Sequence, residues 1–245
     1  MAVRLDGHRA KSQMFLVARK SSYDSEMTFT GFPKAALAFY EGLATDNSRT
    51  FWMEHKSEYE KFVRAPMDAL LEELPEFGPF RVFRPYNDAR FAKGRPTYKE
   101  NIGAYGESEG GAGFYVALSL GGMYIGSGYY GMAADQLERF RAAIDADGTG
   151  NDLAARCVAA THKGLTLTAM GELKTAPRGY SKDHPRIELL RRKGLVCGRE
   201  YPVAKWLHTK ATVGKVRDVW CAAADVNEWL DLHVGPSTLP PEEFR

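Results

Sequence analysis

GFYVALSLGGMYIGSGYY, residues 113–130, decides the fold. Two runs of aromatic and aliphatic residues, Gly113–Leu120 and Met123–Tyr130, flank Gly121-Gly122. A glycine pair tolerates the backbone torsions of a two-residue hairpin turn, so the spacing predicts two antiparallel strands. Upstream, Arg81 to Tyr86 alternates in polarity and reads as a strand, and Ile102 to Tyr105 reads as another.

Helical periods lie outside these strands. Pro33 starts a helix with Leu37, Tyr40 and Leu43 on its inner stripe, ending near Ala44. Asp46 or Asn47 is expected to cap a second helix, in which Phe51, Trp52, His55, Tyr59, Phe62 and Val63 recur, and which Pro66 bends or restarts before Leu70, Leu71 and Leu74. Beyond the hairpin, Leu137, Phe140 and Ile144 mark a helix and Leu153 to Ala160 another; 165–170 and 195–201 read as strands and 185–193 as helical. A last helix carries Val213, Val216, Trp220, Ala223 and Leu230. Helices at both ends of a central, mainly antiparallel sheet give an α+β fold. The expectation is one domain over 27–235, after a loosely ordered leader at 1–26 and before a C-terminal tail at 236–245.

The chain carries a net charge of only +2, but its cations are clustered. RVFRPYNDARFAKGRPTYK, residues 81–99, holds Arg81, Arg84, Arg90, Lys93, Arg95 and Lys99 against Asp88, a local +5. Residues 174–193 carry another +5, which leaves −8 on the rest of the chain. Guanidinium groups offer forked donors to phosphate or carboxylate, and lysine adds a movable point charge. In the first cluster Arg84, Arg90, Lys93, Arg95, Tyr98 and Lys99 are the candidate ligand-binding residues. Asp88 is the candidate base, because a carboxylate among cations stays ionised. In the second, Pro177 and Gly179 enforce a loop that displays Lys174, Arg178 and Tyr180. Asp183 is expected to cap the following helix rather than to pair with His184 in catalysis.

Other motifs fail on context. Gly126 to Gly131 matches GxGxxG but follows a hairpin arm with no parallel strand to come, so it reads as small residues on a crowded sheet. Gly106 to Gly110 matches GxSxG, yet another strand follows where a nucleophile elbow needs a helix. The six histidines show no HxxxH or HExxH spacing, so no metal site is expected, and no cofactor motif stands out. His55 reads as a hydrogen-bonded structural histidine. The three cysteines, Cys157, Cys197 and Cys221, are far apart and form no CxxC pair. They fit a reducing cytoplasm. Met14 to Ala18, the longest early apolar run, is too short for a signal-peptide core or a membrane span.

Four segments carry a resemblance: DNSRTFWMEHKSEYE at 46–60, FRPYNDARFAKGRPTYKENI at 83–102, GFYVALSL at 113–120 and LKTAPRGYSKDHPRIELLRRKG at 173–194. Over most of 29–232 the chain resembles a bacterial and fungal family, domain of unknown function 2461. Asp88, Arg90, Phe91, Lys93, Tyr98 and Lys99 match its central pattern, whereas Asn87, Ala92 and Gly94 stand where arginine, serine and aspartate are usual. The resemblance implies the fold and the important segments but no reaction.

Three functions follow as expectations. In the first, both basic loops converge at one end of the sheet and bind a small molecule bearing phosphate or carboxylate, with or without chemistry. The second is a nucleic-acid-binding module, and the third an interaction domain whose cations form a structural Arg–Asp network.

Overall fold

The computed structural model describes residues 28–87, 94 and 96–240. Six strands, β1 (Phe80–Val82), β2 (Asn101–Glu107), β3 (Gly113–Ser119), β4 (Gly122–Tyr129), β5 (Thr166–Thr168) and β6 (Leu195–Tyr201), form one sheet in the order β1-β2-β3-β4-β6-β5. Every pairing is antiparallel. The sequence pattern located this hairpin but not its turn. Ser119 pairs with Gly122, so Leu120 and Gly121 make the turn and Gly122 opens β4 with φ at 119°. A Cβ there would collide with the Tyr201 carbonyl of β6, so the glycine is required by a neighbouring strand.

Helices α1 (Lys34–Thr45), α2 (Arg49–Tyr59) and α3 (Ala65–Glu72) precede the sheet. α4 (Ala134–Asp145) and α5 (Asp147–His162) follow β4, α6 (Ile187–Leu190) precedes β6, and α7 (Ala211–Ala222) and α8 (Ala224–His233) follow it. Several boundaries differ from the pattern reading. The cap of α2 is Ser48, whose hydroxyl accepts the Phe51 N–H at 3.1 Å, while the Asp46 carboxylate takes the Ser48 N–H. Pro66 does not break the helical path. A π-helical turn, Glu60–Arg64, widens the spiral just before it, so the proline sits in the first turn of α3, where an N–H is not required. The predicted last helix divides at Ala223 into α7 and α8, and the expected helix at 185–193 contracts to α6.

Strand alternation sorts the sheet into two faces. One face carries Ile102, Ala104, Val116, Leu118, Met123, Ile125, Leu195 and Cys197, all in the core with Trp220 and Trp229 from the helices. Trp220 also donates its indole N–H to the Gly126 carbonyl at 3.1 Å, which ties α7 to β4. Burial of such side chains, each worth about 1.5–3 kcal/mol, drives the helices onto this face. The other face presents Arg81, Phe83, Tyr105, Tyr115 and Tyr124. The described chain is therefore a single α+β unit, as its pattern predicts. Among the described residues no helix is long and apolar enough to cross a membrane. The leader expected at 1–26 lies outside the described residues.

Candidate functional site

The two arms of the 83–100 connection pair with each other below β1 and β2. Tyr86 and Tyr98 form an antiparallel bridge, the Lys99 N–H donates to the Pro85 carbonyl at 2.7 Å and the Asn87 N–H to the Thr97 carbonyl at 3.0 Å. Two further elements fix this ladder. Tyr98 stacks on Trp52 of α2, with ring centroids 4.5 Å apart and planes 8° from parallel, and Asn47 bonds the Tyr98 backbone. Asn47 is thus a positioning residue, not the helix cap expected of it. No local pattern marks this role, because its partner lies 51 residues away.

These arms wall a cleft of about 450 Å³, lined by Asn87, Pro96, Tyr98, Lys99, Glu100 and Asn101, and by Ser119, Leu120 and Gly121 of the β3–β4 turn. The Lys99 ammonium lies 5.4 Å from the centroid of the Phe83 ring, and the Arg84 guanidinium 5.0 Å from that of Tyr86. Burial lowers the pKa of Lys99, and the charge of Arg84 lowers it further. Among the described residues no carboxylate reaches ion-pair distance of Lys99. Arg84, Tyr98 and Lys99 thus lie on the two paired arms. Asp88, Arg90, Lys93 and Arg95 lie outside the described residues.

The second cluster is elsewhere. The 83–100 connection leaves the sheet at the end marked by Asn101, Ser119, Gly122 and Tyr201. The 169–194 connection leaves at the opposite end, marked by Glu107, Gly113, Tyr129 and Leu195. From β2 to β6 is three strand spacings, about 15 Å, and each strand is about 20 Å long. The expected convergence of the two basic loops is corrected by this topology: β1 runs into β2 at one end of the sheet, and β5 into β6 at the other.

Within the second cluster Lys174 and Arg178 are exposed and Tyr180 is half-buried, its pKa raised by that burial. Three of its arginines hold the structure together. Arg186 is buried, donating to the carbonyls of Ile144 (2.7 Å) and Asp145 (2.9 Å), to Asn151 (2.6 Å) and to Asp147 (3.0 Å), where α4 turns into α5. Arg191 donates to the Leu173 carbonyl and Arg192 to that of Leu167. Asp183 does not cap α6. Its N–H bonds the Ser181 hydroxyl, and the residue before α6 is Arg186, whose own N–H bonds His184 Nδ1.

The rejected motifs are structural. Ser127 in the GxGxxG run is buried between the Gly113 carbonyl and Asn227, and Ser108 in the GxSxG run, in the β2–β3 turn, donates to Asp231 of α8. His55 bonds the Phe51 carbonyl at 2.9 Å and stacks on its ring. Among the described residues no group of His, Cys, Asp and Glu side chains is arranged to hold a metal.

Neither the curated proteins nor the solved structures give a match to this chain. A family described as a conserved hypothetical protein, DUF2461, matches residues 35–229. That span contains α2, both arms of the cleft and the whole sheet, so the chain belongs to this family.

Proposed function

We propose that the cleft beside Tyr98 and Lys99 binds a small molecule bearing phosphate or carboxylate. The observation that carries this reading is Lys99, a partly desolvated ammonium in the cleft lining. A bound anion would offset the burial that disfavours the Lys99 charge. Tyr98 lies beside Lys99 in the cleft wall. The sequence adds Arg90, Lys93 and Arg95 to the segment that joins the two arms, and Asp88 is the acid there to which we assign a base role if chemistry follows binding. Lys174, Arg178 and Tyr180 belong to a different end of the sheet and are left out of this site. The three cysteines are free, two of them buried, which accords with a reducing cytoplasm as the place of action.

Titration calorimetry with inorganic phosphate, pyrophosphate, a nucleoside triphosphate and citrate tests this. Saturable heat from at least one, weakening with added salt, is expected. No heat from any of them removes the reading.

A further inference from the structure

The sheet face turned away from the helices carries an aromatic row that the cleft does not use. In register, Arg81 stands opposite Tyr105, Tyr105 opposite Tyr115 and Tyr115 opposite Gly126. One step along, Gly103, Ala117 and Tyr124 fall in line. Glycines lie beneath the rings. A Cβ at Gly113 would run into Tyr105, one at Gly103 into Tyr115, and one at Gly126 or Gly198 into Tyr124. The tyrosine rings thus lean over bare backbone, where the glycines leave room for them.

Phe83 extends the row. Its ring centroid is 6.2 Å from that of Tyr115, which is 6.0 Å from that of Tyr124. Among the described residues none of Phe83, Tyr105, Tyr115 and Tyr124 joins the helix-side core. Cations gather at one end only: Arg81 lies 5.7 Å and Lys99 5.4 Å from the Phe83 ring centroid, and Lys99 also lines the cleft. The exposed acids of this face, Glu107 and Glu200, sit at the far end of β2 and on β6.

We infer that this face binds single-stranded nucleic acid, with bases stacked on Phe83, Tyr115 and Tyr124 and phosphates held by Arg81 and Lys99. The inference rests on the anion reading of the cleft, because Lys99 belongs to both. Charge and ring placement argue for this occupant together. Every nucleobase has a π face to lay on an aromatic ring, and the backbone that links the bases supplies phosphates for Arg81 and Lys99. Bases paired within a duplex have no free face to offer. Glu200 stands opposite Tyr124 in register, so the strand runs from the cations at the β1 edge across β2 and β3 and ends at β4.

The test is fluorescence anisotropy of a labelled 12-residue oligouridylate and of a duplex of equal length, with the full chain, beside calorimetry with pyrophosphate. Preference for the single strand is expected, with log affinity falling against log salt by about 0.7 per phosphate contact. The double variant Tyr115→Leu/Tyr124→Leu keeps apolar cover over the glycines. It should lose tenfold or more in oligonucleotide affinity relative to pyrophosphate, with its melting temperature checked in parallel. Photo-crosslinking with 5-iodouridine oligomers supplies a second readout, expected at Phe83, Tyr115 or Tyr124. Pyrophosphate binding without oligonucleotide binding, equal affinity in the double variant, or crosslinks only on other surfaces overturns this inference and leaves the anion site standing. If neither pyrophosphate nor oligonucleotide binds, both readings fall.

Discussion

The side-chain amide of Asn47 holds the backbone of Tyr98 on both sides, donating from Nδ2 to its carbonyl at 3.1 Å and accepting its N–H at Oδ1 at 2.8 Å. This pair imitates one rung of a β-ladder and docks the second arm of the basic connection onto the α1–α2 turn. With Trp52 stacked on the Tyr98 ring, it sets where Lys99 emerges. Asn47→Ala leaves a part-buried N–H and C=O without partners, so a loss of about 1–3 kcal/mol is expected in urea unfolding. Phosphate affinity should fall as well. Asn47→Asp keeps the acceptor but not the donor and should lose less.

Lys99→Gln should bind anions more weakly and yet melt higher than the wild type. The native Lys99 has a lowered pKa, so it releases its proton at a lower pH than the lysine of the unfolded chain, whose ordinary value is 10.5. Between those two pKa values the unfolded chain binds more protons, and stability rises with pH. Below that window both states are charged, and the native state bears the whole penalty. Thermal melts of both proteins at pH 7 and pH 10 check this: the advantage of the variant should be present at pH 7 and shrink at pH 10.

Arg186→Met should cost about 2–3 kcal/mol, because several acceptors at the α4–α5 junction lose a charged donor together. Phosphate affinity should stay within twofold of wild type, since Arg186 sits at the end of the sheet remote from Lys99. A large loss of binding in a folded variant would argue that both basic clusters serve one site after all.

One of the three thiols should react readily with an aromatic disulfide at pH 8 in the native protein. Cys221 is exposed, whereas burial raises Cys157 to about 11 and Cys197 to about 12. The thiolate is the reactive form, so these two should titrate only after unfolding in denaturant. Fast native reaction of all three would contradict the burial of Cys157 and Cys197.

Much of the fold was legible because its signals are local. The hairpin at 113–130 shows itself through its glycines and flanking strands, and β6 was placed at 195–201, where the structure has it. Helix boundaries were less legible where the cause is not local. Gly122 looks like a turn residue, but it answers to Tyr201 on a neighbouring strand. A proline usually ends a helix, yet Pro66 follows a π-helical turn that no propensity announces. Of the candidate site, charge clustering picked out Arg84, Tyr98 and Lys99, which lie on the two paired arms. It could not separate the second cluster, whose Arg186, Arg191 and Arg192 look identical in sequence and serve as internal ties. Asn47 went unrecognised because only folding brings it to Tyr98. The row of Phe83, Tyr115 and Tyr124 was hidden likewise, since its rings come from the segment after β1, from β3 and from β4.

The measurement that bears most directly on the anion site is the NMR titration of the Lys99 ammonium, in the free protein and with saturating inorganic phosphate. A pKa below the ordinary lysine value of 10.5 in the free protein, rising when phosphate is added, is the predicted result. An ordinary pKa in the free protein, or one that phosphate leaves unmoved, would contradict it.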